Sequence, residues 1–236
     1  MLFPWSGQGI QWFTDASRYT GFHARLAEQI RPYLGSGQTM CGIGCGLGFL
    51  DTQLAQDVSH LTCVDSNEAA IQALTQRAHR QGISNITPLC MDVEELNGQF
   101  DTLLMSFFGR SGEEFFSYFR LAKKRVIRVV NAGSSGGLYP GKHRRHNRTT
   151  ITDVENQLQQ KGMHYTLLRC KLEFGQPLCS AADAAAYVQT QAPNATPQEI
   201  EVFLQQNLQA TQSKEFPLYL PNPKDLGVLV VEVAGA

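Results

Sequence analysis

Residues 41–48 read CGIGCGLG, four glycines in eight positions. A short strand-like run, Thr39-Met40-Cys41, precedes them, and an apolar pair, Phe49-Leu50, follows. Inside regular structure a glycine costs roughly 0.5–1 kcal/mol against alanine. A ligand that the backbone has to approach closely would offset that cost.

Working outward from this loop, 39–43 reads as a strand and the stretch from Gly48 to about Asp57 as a helix. LTCVD at 61–65 is a buried strand. Ser66 then offers an N-cap to a helix carrying Ala70, Ile71, Leu74 and Ala78 on one face, with Gly82 just past its end. ITPLCMD at 86–92 is a strand that Pro88 confines to an edge or a start. FDTLLMSFF at 100–108 and RVIRVVN at 125–131 are further strands, with SGEE at 111–114 a capping box between them. Ahead of the loop, Tyr19, Phe22, Leu26, Ile30 and Tyr33 share one helical face, and Pro32 ends that helix at Arg31. Strands alternating with helices predict an α/β fold with a doubly wound, mostly parallel sheet. In such sheets ligands bind beyond the carboxyl ends of the strands, at the topological switch point. The glycine loop sits at that end of the first strand.

The chain has 236 residues and a formal charge of −1. The length suits a single domain over 1–236 with a helical segment at 1–35 and an insertion at 176–224. Near-neutral charge argues against a dedicated nucleic-acid partner. No apolar run approaches the roughly 20 residues of a membrane span, so no membrane partner is expected. The six cysteines form no C-x-x-C pair, which predicts no metal site and a reduced, cytoplasmic protein.

Two features narrow the ligand. A dinucleotide fingerprint needs G-x-G-x-x-G, and Gly44-Cys45-Gly46-Leu47-Gly48 is instead G-x-G-x-G, with Phe49 where the third glycine would stand. Asp65 ends the second strand, where a carboxylate can accept both ribose hydroxyls of an adenosine. Asp92 ends the third, where it can accept from an adenine amino group while Val93 offers its N–H. Taken alone, Asp65 could instead cap a helix, and Asp92 a short turn through Glu95.

At these residues the chain resembles the class I S-adenosylmethionine-dependent methyltransferases. MCGIGCGLGFL, LTCVDSNEAAI and LCMDVEEL look like their first three motifs, and FDTLLMSFF like the strand beside the transferring methyl. The resemblance runs in order over 39–131. It implies a seven-stranded sheet with an antiparallel C-terminal hairpin, which 163–174 and 226–234 would supply. It implies S-adenosylmethionine as cofactor, held by Gly42, Gly44, Cys45, Gly46, Asp65, Ser66, Asp92, Val93, Ser106 and Tyr19. The chain departs from the family pattern at Gly42, where the family usually carries an Asp or Glu that helps to hold the methionine ammonium. Loop carbonyls or a water could substitute.

The acceptor is less legible. Ser106-Phe107-Phe108-Gly109 lacks the N/D-P-P-Y-like stretch of amino methyltransferases, and Phe107 and Phe108 suit an apolar or planar substrate. Arg144 and Arg145, in a basic loop after the fifth strand, could bind an acceptor anion. His23, Tyr139, His143 and His146 are unranked candidates for a base, and no catalytic residue is assigned. Thr150 with Asp153, Ser180 with Asp183 and Thr196 with Glu199 each open a further helix. The last two lie in the insertion, which the resemblance makes a lid with the N-terminal helix. The favoured reading is methyl transfer to a small-molecule acceptor by in-line displacement. The alternatives are a protein or RNA acceptor, or a non-catalytic cofactor-binding module.

Overall fold

A computed structural model describes residues 5, 7–109, 112–133, 137–143 and 149–233, apart from the side chain of Lys142. Two helices, α1 (Gly7–Thr20) and α2 (Phe22–Ile30), lead into β1 (Thr39–Ile43), α3 (Phe49–Leu54), β2 (His60–Asp65), α4 (Glu68–Arg80) and β3 (Ile86–Cys90). There follow β4 (Phe100–Ser106), α5 (Glu113–Ser117), β5 (Ala122–Asn131), α6 (Ile151–Gln160) and β6 (Tyr165–Glu173). The insertion holds β7 (Gln176–Leu178), α7 (Ala181–Gln191), α8 (Pro197–Asn207), β8 (Gln209–Ala210) and β9 (Leu218–Leu220), and β10 (Pro223–Glu232) completes the main sheet.

Seven strands pair in the order β3-β2-β1-β4-β5-β10-β6. The first five are parallel, and β10 is antiparallel to both of its neighbours. Strand order reverses between β1 and β4, so the switch-point crevice opens beside the carboxyl end of β1. Pro88 lies in β3 at the sheet edge, where a missing N–H costs no ladder bond.

Both faces of the sheet are covered, which is why its strands read as nearly continuous apolar runs. Met40, Leu61, Leu104, Ile127 and Val228 pack under α2, α3 and α4. Cys41, Val64, Leu103, Val126 and Leu229 face the other way, onto Phe115 of α5 and Ile151, Val154 and Leu158 of α6. A third cluster joins Trp12 of α1 to the insertion through Leu178, Tyr187, Val188, Ile200 and Leu220, with Leu138 between them.

Four local expectations are corrected. The single helix over 19–33 is two, because Gly21 adopts a left-handed φ of 64° and redirects the chain. Tyr19 therefore belongs to α1, while Phe22, Leu26 and Ile30 line α2. Asn67, not Ser66, caps α4, its side chain accepting from the Ala70 N–H at 3.0 Å. The N-cap of α5 is Gly112, with no side-chain cap bond, in place of the expected Ser111, which lies outside the described residues. The insertion is more than helical: β7, β9 and β8 make a small antiparallel sheet. The boxes at Thr150–Asp153 and Thr196–Glu199 form as read, and Ser180 caps α7.

Candidate active site

The glycine loop leaves β1 and is tied down at several points. Cys45 N–H donates to the Val64 carbonyl at 3.1 Å, and Gly48 N–H to the Cys45 carbonyl at 2.9 Å. The Arg77 guanidinium donates to the Leu47 carbonyl and lies 3.4 Å from the centre of the Phe49 ring. Gly44, Gly46 and Gly48 all hold left-handed φ angles, 62°, 53° and 65°. At Gly44 a side chain is excluded twice, by that φ and because a Cβ there would overlap the ring of Phe108. Close approach between the loop and the end of β4 thus accounts for the glycine at the head of G-x-G.

Asp65 binds this loop directly. Its Oδ2 accepts from Gly46 N–H at 2.8 Å and its Oδ1 from Asn67 N–H at 2.9 Å. The carboxylate is half-buried and keeps lone pairs for further donors. Asp92, on the exposed side of the crevice, accepts from Glu94 N–H at 3.0 Å and so caps the turn Val93–Glu95, with Val93 buried beneath it.

Ser106 ends β4, and Phe107 follows with φ 54°, the one non-glycine residue at positive φ among the described residues. A bulky side chain there is strained, a condition that clusters at functional sites. Phe107 is 48% exposed, and its ring stacks over Phe22 at 6.4 Å and 28°. Phe108 turns the other way, towards Gly44 and Tyr118.

Residues 41–124 match a family described as a methyltransferase domain. The matched stretch, similar to a methyltransferase domain, runs from β1 into β5 and takes in the glycine loop, Asp65 and Asp92. Magnesium protoporphyrin IX methyltransferase of Synechocystis PCC 6803, solved with S-adenosylhomocysteine bound, is similar at 16% identity and TM-score 0.55, over 91% of this chain and 84% of that one. Precorrin-6y C5,15-methyltransferase of Geobacter metallireducens GS-15 is similar at 10% identity and TM-score 0.52, over 89% and 87%. The [4+2]-cyclase SpnF is similar at 14% identity and TM-score 0.54, over 90% and 82%. Identities this low show the fold alone, and the cyclase shares it. No curated protein matches the chain.

The fold is therefore the one the motifs imply, and S-adenosylmethionine is the cofactor of this kind of domain. Of the residues read as cofactor-binding, Gly42, Gly44, Cys45, Gly46 and Asp65 lie around one loop, with Ser66 exposed beside it and Asp92, Val93 and Ser106 at or just past the ends of neighbouring strands. Tyr19 is placed on the insertion side, its ring 5.2 Å from Tyr219 and 6.0 Å from Phe216. Arg144 and Arg145 lie outside the described residues, as does His146. His143 Nε2 lies 3.1 Å from Glu199 Oε2 and ties the loop after β5 to α8. Burial, with the charge of Arg77 added, pushes His23 down to about 3, which leaves it a weak base bonded to Ser17.

Three parts of the site had no reading from sequence. Phe13, His23, Phe49 and Phe174 form an aromatic wall, with ring centres 5.2–5.6 Å apart among most pairs. Trp5 edges onto Phe13 at 5.3 Å and reaches over Gly46. Asp51, in the first turn of α3, is 4% exposed, and its Oδ1 has no hydrogen-bond partner among the described residues. Burial pushes its carboxyl up to about 6, against its own backbone N–H and the Cys63 thiol, while Asp65 adds to the rise. A helix-face reading could have flagged the aromatics; nothing in the sequence marks Asp51.

Proposed function

We propose that the protein transfers a methyl group from S-adenosylmethionine to a small, apolar or planar acceptor that packs against Phe107. The observation that carries the acceptor class is Phe107 itself: strained, half exposed, and stacked over Phe22 at the end of β4. The residues present fit the cofactor. Asp65 presents a half-buried carboxylate beside the loop with lone pairs left for hydroxyl donors, and the backbone at Gly46 stays uncovered by any side chain of its own.

When bound, S-adenosylmethionine would supply an electrophilic methyl carbon on a sulfonium. Asp65 would hold the ribose hydroxyls, the 44–46 backbone would serve the amino-acid end, and Asp92 with Val93 would serve the adenine. The aromatic wall excludes water from the crevice. Position and orientation supply most of the rate in such a displacement. The N-terminal helix and the insertion act as one cover: the Trp12 indole donates to Asp183 at 2.9 Å, the Gln176 amide to the Trp12 carbonyl at 3.1 Å, and Arg18 pairs with Glu215. Two of the similar structures are methyltransferases of protoporphyrin and of a precorrin, which supports a small-molecule acceptor without naming this one.

The test uses cofactor with a labelled methyl and a cell lysate split into small-molecule, protein and RNA fractions. Label is expected in the small-molecule fraction, and label in protein or RNA overturns the acceptor class. Phe107→Gly removes the strained φ and is expected to leave folding intact. It should lower transfer about tenfold or more while S-adenosylhomocysteine affinity stays within about twofold. Unchanged transfer would separate Phe107 from the acceptor.

A further inference from the structure

We propose that Asp51 of α3 is the counter-ion for the ammonium group at the methionine end of the cofactor. The inference rests on the S-adenosylmethionine reading above and names the residue that completes that site.

The carboxylate sits where β1 makes room for it. Gly42 lies between Cys41 and Ile43 on β1 and therefore faces the α2–α3 side of the sheet, like Met40. A Cβ at position 42 would overlap Asp51 Oδ1. A side chain at 42 and the present place of the Asp51 carboxyl exclude each other, so the acid that β1 lacks arrives from the following helix.

Asp51 is also incomplete as it stands. Buried polar atoms nearly always have a partner, and an orphan asks for one. Oδ1 has none among the described residues, and no salt bridge there reaches Asp51. Arg77, the cation packed on Phe49 of the same helix, directs its guanidinium to the Leu47 carbonyl. Asp51 is coupled to Cys45 and Asp65, the two residues that bind the loop to β2. The missing partner should carry positive charge and N–H donors. Of the cofactor's groups the sulfonium has charge without N–H, the carboxylate has the wrong sign, and the ammonium has both.

The charge state gives a signature. The acid ionises as pH rises through about 6, so affinity for an ammonium climbs over that range and then levels. Apo stability runs the other way: with the folded value raised above the ordinary 3.8, Asp51's contribution is full below 3.8 and lost as pH rises through about 6. The groups that act on it are Asp65 and Cys63 of β2, Cys45 of the loop and Cys41 of β1, while His23 of α2 and Arg77 of α4 pack on Phe49 of the same helix. Cys41 is raised by burial, Cys63 by its bond to Cys45 and then burial, and Cys45 by burial despite the bond from Cys63. Neutral thiols add no step near pH 6. His23 lies far below that range, and Arg77, lowered to about 10 by burial, far above it.

The experiment is calorimetric titration of the full chain with S-adenosylhomocysteine and with 5′-methylthioadenosine, which keeps the nucleoside and sulfur and lacks the ammonium. Asp51→Asn should weaken S-adenosylhomocysteine about tenfold or more and leave methylthioadenosine within about twofold. It should also abolish the pH dependence and leave apo melting unchanged or higher. Equal weakening of both ligands, or of neither, overturns the proposal. The double variant Gly42→Asp/Asp51→Ala moves the acid to β1 and should bind S-adenosylhomocysteine within about threefold of wild type; failure to recover affinity in that folded variant also counts against it. If wild-type protein binds methylthioadenosine and S-adenosylhomocysteine equally well, only this inference falls. If it binds neither, the cofactor reading falls with it.

Discussion

Asp65→Ala is expected to lower S-adenosylhomocysteine affinity about a hundredfold. Asp65 accepts from Gly46 and Asn67 N–H groups and so fixes the loop against the start of α4. In the proposed site the same carboxylate would accept from the two ribose hydroxyls. Charge-assisted bonds are worth about 1.5–3 kcal/mol each, and the loss of two at the low end of that range gives the hundredfold figure. Calorimetric titration measures it, with circular dichroism to show that the sheet persists. Asp65→Asn, which keeps the shape and removes the charge, should fall between wild type and alanine. Unchanged affinity in Asp65→Ala would remove the residue from the site and leave it only as a tether for the loop.

Gly44→Ala should abolish detectable cofactor binding and lower the melting temperature by about 5–15 °C. Two costs add. A left-handed φ costs a non-glycine residue about 1–2 kcal/mol, and the methyl group would overlap the Phe108 ring, an overpacking worth about 1–3 kcal/mol. Phe108→Ala in the same chain relieves the second cost and not the first. The double variant should therefore recover part of the melting temperature while cofactor binding stays impaired. Full recovery of both would mean that the ring alone, and not the loop conformation, requires glycine. A melting temperature equal to wild type in Gly44→Ala would contradict the close approach of loop and β4.

The parts of the molecule legible in the sequence are those whose signal is local and repeated. β1, β2 and β4 are apolar runs bounded by glycine or a carboxylate, and their order with the intervening helices gives the doubly wound sheet. Capping boxes at Thr150 and Thr196 are chemical signals four residues long and are present as read. Ser66 and Asn67 are both good caps, and only the geometry of the chain leaving β2 makes Asn67 the one used. The two-residue and three-residue strands β8 and β9 are too short to show alternation. α1 escapes because glycines and polar residues fill its first turn, and its partners, Asp183 and Gln176, lie more than 160 positions away along the chain. Asp51 illustrates the limit most clearly. In sequence it is an acid in the first turn of a helix, which the helix dipole alone explains. The role proposed for it depends on the room that Gly42 leaves for its carboxyl, a packing relation between a strand and the helix after it.

The positive φ of Phe107 had no sequence signal either. It arises where β4 ends and the Phe107 N–H reaches the Val129 carbonyl at 3.0 Å, so the sheet dictates the turn. Strain of this kind is maintained by surrounding structure, and a single chain segment does not announce it.

The glycine loop suits S-adenosylmethionine and not a dinucleotide. Phe49 stands where a dinucleotide fold needs its third glycine, and its ring is locked between His23 and Arg77. One calorimetric comparison tests this on wild-type protein: titration with S-adenosylhomocysteine, then with NAD up to about 1 mM. The account predicts a single saturable site for S-adenosylhomocysteine and no saturable heat for NAD. Saturable NAD binding that S-adenosylhomocysteine displaces, or no binding of S-adenosylhomocysteine at all, would contradict it.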